Sequence, residues 1–276
     1  MKKKIILCAS VVAFAAAGAV NADSKKGDDN GTARNNCPVT HAALENAIKA
    51  AQLKANGGLG FHMWATVVNA DGVVCAVAKS GNGLNSQWLG SRVISAQKAN
   101  TANSFSLTAG GNAGNGLDGL ALSTANLYAP TQPGGSLFGL QHSNPVDTQW
   151  AYAGNANKFG RADDPMTGRR IGGVNVFGGG LALYNSEHKL VGAVGVSGDT
   201  SCADHNIAWR VRDLLALDNV MAGVAGVGDN IIFDATSAAP NGIVDGFEHA
   251  ACAEDVQDNI NANTAVLADA PIGPNP

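Results

Sequence analysis

The stretch VGAVGVSGDTSCADHNIAWRVRDLL, from Val191 to Leu215, constrains the fold more than any other in the chain. Its first half is a run of small apolar residues ending in Gly195-Val196-Ser197-Gly198, which reads as a strand entering a glycine turn. Its second half opens on polar residues and continues as an amphipathic helix, expected over 203–217. A strand that turns straight into a helix packs that helix back onto its own sheet, so both element types share one core. Ser201 is placed to cap the helix, with Asp204 three residues on as a variant of the capping box. The free N–H groups and the dipole at that end favour an anion by about 0.3–1 kcal/mol. Glycine inside a strand marks a bulge or a close approach to the backbone. A pocket for a flat, anionic ligand satisfies all of this. So does a plain strand-turn-helix connection that needs no ligand. The glycine spacing is neither a Walker loop nor a dinucleotide fingerprint.

Elsewhere the pattern alternates between paired strands and helices. Thr40 caps a helix carrying Ala43, Leu44, Ala47, Ile48 and Ala51, which Gly57-Gly58 stops. Residues 61–69 and 73–78 read as a hairpin around Asp71-Gly72. A long helix is expected over 86–105, with Lys98 near its middle. A second hairpin spans 172–184 and 190–197, and 229–234 reads as an edge strand. Paired strands separated by helices predict an α+β fold built on an antiparallel sheet. Residues 107–170 are rich in Gly, Asn and Pro, and only 120–128 looks helical. Their aromatic residues predict an ordered, loop-rich insertion rather than a linker. The frayed-looking end ADAPIGPNP closes a C-terminal extension over 218–276.

At the N-terminus, Lys2, Lys3 and Lys4 precede an apolar run from Ile5 to Val20 and the small-residue site Val20-Asn21-Ala22. This predicts a cleaved signal peptide over 1–22 and a periplasmic or secreted mature protein. The run is short for a membrane span of about 20 residues, so no span is expected in the mature chain. A polar, flexible lead-in over 23–36 then precedes one domain over 37–276. The formal charge of the 276-residue chain is −4, and loss of the three lysines takes it to −7. With no positive stripe to neutralise phosphates, nucleic acid is excluded as a partner.

Four cysteines follow the signal: Cys37, Cys75, Cys202 and Cys252. An even number in an exported chain predicts disulfides with three pairings open. Cys202 and Cys252 flank the C-terminal region, which favours pairing them and leaves Cys37 with Cys75. The cysteines lack zinc-site spacing, and a Cys202–His205 nucleophile is disfavoured by the expected disulfide. The acidic loops around DNIIFD and APNGIVDG lack the spacing of an EF-hand.

ATVVNADGVVCAV (Ala65–Val77), AQKANTANSF (Ala96–Phe105), IGGVNVFGGGLALY (Ile171–Tyr184) and VGAVGVSGDTSCADHNIAW (Val191–Trp209) together resemble the GlcG/HbpS family of haem-binding proteins, also described as haem-degrading domains. Asn69 stands where that family usually has Asp, and the 107–170 insertion is longer than usual. The resemblance implies a profilin-like α+β domain, homo-oligomerisation, and haem or a related tetrapyrrole as ligand. It carries Lys98, Thr101, Gly195, Ser197, Gly198 and Asp199 over as binding residues. Haem also needs an axial donor, for which His62, His205 and His249 are candidates, and cations for its propionates, with Lys98, Arg92, Arg210 and Arg212 as candidates. Of Arg210 and Arg212, two apart on a helix, one is expected to be an ordinary surface charge. His62 is expected on a strand face with Trp64 and Thr66, and His249 near His205 if Cys202 pairs with Cys252. The function expected is non-enzymatic binding, transport or sensing of haem. The alternatives are an enzyme on the same scaffold, degrading haem or acting on a small organic acid, and a structural or sensory partner module.

Overall fold

The computed structural model describes residues 36–110, 117–233 and 246–273. The expected signal peptide and nearly all of the lead-in lie outside the described residues. The fold is α+β. Helix α1 (His41–Gln52) is followed by strands β1 (Trp64–Asn69) and β2 (Val74–Lys79) and helix α2 (Ser91–Ser104). After the insertion come strands β3 (Gly180–Tyr184) and β4 (Leu190–Ser197), helix α3 (Ser201–Leu214) and helix α4 (Val256–Asp269). The two hairpins join into one antiparallel sheet of order β2-β1-β4-β3, with Trp64 opposite Ser197 and Asn69 opposite Gly192.

Alternation along β1 separates the two faces of the sheet. Ala65 and Val67 join Leu44, Ile48, Val194, Val196, Ile207 and Trp209 in a core under α1 and α3. Trp64 and Val68 join Val93, Ala96, Ala99, Met166 and Ile171 in a core under α2 and the insertion. Thr66 also faces α2, where its hydroxyl lies 2.8 Å from Ser95 Oγ. In the first hairpin, Asn69 Oδ1 accepts from the amides of Asp71 and Val73. The side-chain oxygen that the resemblance expects from an aspartate is thus supplied by an asparagine.

Several local expectations are corrected. The long helix begins at Ser91 rather than Ser86, because Gln87 Nε2 donates to the carbonyls of Gly83 and Leu84 and holds a separate turn there. Residues 120–128 are not helical. Leu120–Ala121 pairs in parallel with Ala222–Gly223, and Ser123 and Asn126 then close a turn on each other through the Ser123 hydroxyl and the Asn126 amide oxygen. In place of an edge strand at 229–234, Phe233 makes a single bridge to His249, and Asp229 is buried. Neither Arg210 nor Arg212 is a surface charge. Arg210 pairs with Asp269 of α4, and Arg212, fully buried, is held by both carboxylate oxygens of Asp229 at 2.9 Å. Helix α4, capped by the Asp255 side chain, is an element the sequence reading missed.

Both disulfides form, Cys37 with Cys75 and Cys202 with Cys252. The first ties the lead into α1 to β2. The second ties the extension to the first turn of α3. The insertion is anchored by Arg92 of α2, whose guanidinium pairs with Asp164, donates to the Ala151 carbonyl at 2.9 Å and lies 3.7 Å from the Phe159 ring centroid. Among the described residues, no helix is long and apolar enough to cross a membrane.

Candidate functional site

The residues singled out by sequence fall into three places. The first is the turn from β4 into α3. Thr200, rather than Ser201, caps α3, accepting from the Ala203 amide. Asp204 is therefore one position too far along to complete a capping box. Its carboxylate instead accepts from the Asp199 amide at 2.9 Å and pairs with Lys98 Nζ at 2.7 Å. Lys98 also donates to the Val196 carbonyl, and both partners are buried. Burial pushes the Asp204 carboxyl up to about 6, against the pull of Lys98. The helix end that looks ready for an external anion is thus filled from within the chain: the Thr200 hydroxyl accepts from the Ala203 amide, Cys252 Sγ accepts from the Cys202 amide, and Asp204 and Asp199 take the amides of Asp199 and Thr200 just ahead of the helix. Lys98 is committed inside the fold. Thr101, one turn on, donates to the Gln97 carbonyl and accepts from the Asn175 amide.

The glycines of β4 have the same kind of explanation. A Cβ on Gly195 would stand 1.9 Å from the Ser95 carbonyl oxygen and 2.5 Å from the Ala99 amide. What approaches the strand backbone here is helix α2.

The second place is a buried histidine cluster under the Cys202–Cys252 disulfide. His205 is fully buried and accepts from the Ile231 amide at 3.1 Å, while its Nδ1 has no partner among the described residues. His249 accepts from the Gly178 amide at 3.2 Å, and its Nδ1 lies 2.7 Å from the Ala250 carbonyl. Burial holds both imidazoles neutral, lowering His205 to about 3 and His249 to about 4. Gly178 lies against both histidines: its amide donates to His249, and a Cβ on it would stand 3.1 Å from His205 Cβ. An external ligand reaching either would have to open this cluster.

The third place is the segment 58–62 ahead of β1. His62 lies before the strand rather than on its face, and it is exposed. Its Nδ1 is 3.1 Å from Ser80 Oγ, which also accepts from the Met63 amide. The Phe61 ring packs edge-on against Trp88 with centroids 5.2 Å apart, and Leu59, Phe61, Trp88 and Leu89 are all exposed. This segment depends on the β4–α3 turn. Asp199 accepts from the amides of Leu59, Phe61 and Thr200. Gly198 has φ +152°, and a Cβ there would stand 2.7 Å from the His62 carbonyl oxygen. Gly198 and Asp199 are therefore brought against the 58–62 segment, with Ser197 opposite Trp64 at its end, whereas Lys98, Thr101 and Gly195 are not.

Sequence reasoning missed Phe61, Ser80, Gln87 and Trp88. Gln87 Oε1 is buried with no partner among the described residues. It lies beside Gly81, whose added Cβ would stand 2.6 Å from that oxygen and 3.1 Å from His62 Cδ2. An unpaired buried amide oxygen is costly, and here it sits next to an exposed imidazole. A signal was present in the sequence, since His62 is flanked by apolar Phe61 and Met63 where a solvated loop would be polar.

Protein ORFY of Klebsiella pneumoniae is 25% identical over 64% of this chain and 90% of its own, with a TM-score of 0.40. A PduOC–haem complex is 20% identical over 63% of this chain and 89% of its own, also with a TM-score of 0.40. No curated protein matches the chain. A family model described as haem degrading protein HbpS-like matches residues 39–212, from just before α1 to near the end of α3 and more than half of the chain. The chain belongs to the HbpS-like family of haem-degrading proteins.

Proposed function

We propose that the protein is an exported haem-binding protein, non-enzymatic in its basic role, and that His62 ligates the iron. The observation that carries this reading is His62 itself, exposed, with Nδ1 held at 3.1 Å from Ser80 Oγ beside the Phe61–Trp88 pair. When Nδ1 donates to Ser80, Nε2 keeps its lone pair, which is the tautomer that metal-bound histidines adopt. The residues fit the group. A neutral imidazole is a haem ligand, and exposed aromatic and aliphatic side chains offer the apolar contact that a porphyrin face needs.

Bound haem would supply a redox-active iron and a chromophore. The chain's own residues do the rest. Ser80 orients the imidazole, Asp199 fixes the loop that carries Phe61, and Phe61, Trp88 and Leu59 exclude water from the ligand face. The family's description supports haem as the ligand. Export is supported by the N-terminal lysines and apolar run and by the two disulfides, which persist in oxidising compartments. The test is a haemin titration of the oxidised protein, followed at the Soret band. Saturation near one haem per chain is expected, and a shift that never saturates defeats the reading. Adding reductant and oxygen to the loaded sample separates a binder from a degrader, since only degradation bleaches the band to an open-ring product.

A further inference from the structure

Beneath the family-matched core, Cys202, Cys252 and His249 meet at the first turn of α3, with one donor atom from each within 4.8 Å of the others. We propose that this disulfide is one of two chemical forms of the same staple, and that its reduced form is a Cys₂His site for Zn²⁺. Two cysteines and one histidine, completed by water, form a known zinc donor set, with bonds of about 2.0–2.3 Å. Such bonds hold two sulfurs about 3.8 Å apart, so after reduction the sulfurs separate by under about 2 Å and all three donors stay within the 4.8 Å they span here. The cysteines themselves lack C-x-x-C spacing, but the histidine supplies a local pair. His249 and Cys252 lie three apart on one segment and form a local chelate, while Cys202 comes from a rigid helix.

The surroundings favour thiolates. Cys252 Sγ accepts from the Cys202 amide at 3.2 Å and lies 3.5 Å from Ser201 Oγ, at the N-terminal end of α3. Amide donors at a helix start stabilise sulfur in its anionic form, which is the form that binds metal. The His249 ring is buried, and metal binding replaces one of its bonds, to Gly178 N or Ala250 O. Cys37–Cys75 has no histidine in an equivalent cluster among the described residues. Cys252 and His249 also lie outside the stretch shared with the family, so this staple belongs to the chain's own extension.

The interconversion needs a reductant, and a dithiol is the class that fits. Thiol–disulfide exchange at the half-buried Cys252 breaks the Sγ–Sγ bond. Two electrons and two protons pass to the cysteines, and the dithiol leaves as its own disulfide. Zn²⁺ then displaces the two thiol protons, so binding releases acid.

The experiment compares oxidised with dithiol-reduced protein under anaerobic conditions, using Co²⁺ as the spectroscopic probe and Zn²⁺ as competitor. A thiolate-to-metal absorption band that saturates at one equivalent in the reduced sample alone is expected, and Zn²⁺ should abolish it. Alkylation of the reduced protein with and without Zn²⁺ then maps the ligands. Zn²⁺ should protect Cys202 and Cys252 while Cys37 and Cys75 are labelled. His249→Ala should weaken Zn²⁺ by about tenfold or more. Equal labelling of all four cysteines, or no saturable band on reduction, overturns the proposal. These readouts involve no haem, so they stand or fall separately from the haem reading.

Discussion

Lys98 Nζ and Asp204 Oδ2 lie 2.7 Å apart in the interior, and they join α2 to α3 across the edge of the sheet. Lys98 comes from the stretch that resembles a haem-binding motif, yet its charge is spent inside the molecule. A buried ion pair gains little over apolar replacements, but breaking one side of it leaves an uncompensated charge. Lys98→Met alone should therefore destabilise the fold by about 3–5 kcal/mol. The double variant Lys98→Met/Asp204→Leu should recover most of that loss. Urea unfolding of the three proteins measures this directly, and equal stability of the single and double variants would contradict it.

Stability should fall as the pH drops from 7 toward 4. His205 and His249 are held near 3 and 4 by burial, well below the ordinary histidine value of 6.5. Below about 6.5 the unfolded chain takes up protons that the folded one refuses, so stability present at neutral pH is lost through that window. Asp204, raised to about 6, acts in the opposite sense between about 4 and 6, because there the folded state holds the extra proton. Two imidazoles against one carboxyl leave a net loss in acid. Thermal melts across this range check the slope, which His249→Gln should flatten.

Gly195 should tolerate no side chain. With the Ser95 carbonyl 1.9 Å from the position of a Cβ, Gly195→Ala must push α2 off the sheet. Overpacking of this kind costs about 1–3 kcal/mol. Chemical denaturation should show the loss even with no ligand present, and an unchanged midpoint would contradict the close packing of α2 on β4.

Arg92 should decide whether the insertion stays folded against the core. Its guanidinium holds Asp164, the Ala151 carbonyl and the Phe159 ring together. Arg92→Leu leaves Asp164 buried and unpaired, so limited proteolysis should cut between about residues 152 and 168 faster than in the wild type. Equal cutting rates would mean that the insertion is anchored elsewhere.

Much of the framework was legible because it rests on period and punctuation. The Thr40 cap, the Asp71-Gly72 turn and the shift from small apolar run to amphipathic helix at Gly198 are local signals, and the antiparallel sheet follows from them. The burial of Arg210 and Arg212 was not legible, because their partners Asp269 and Asp229 arrive from the extension. Gly195 announced a close approach, but not that the approaching group is the backbone of α2, while Gly192 in the same strand lies against the Val68 carbonyl of β1. At the candidate site, His62 was visible as a residue type. Its neighbours were not, since Ser80, Gln87 and Trp88 come from the far side of the β1–β2 hairpin.

The most direct test of the account is a haemin titration of wild type, His62→Ala and His249→Ala side by side. His62→Ala should lose the saturable Soret shift while keeping its far-UV circular dichroism, and His249→Ala should retain the shift in its folded fraction. Retention of the shift in His62→Ala would contradict the site described above, and its loss in folded His249→Ala alone would place the iron at the buried cluster.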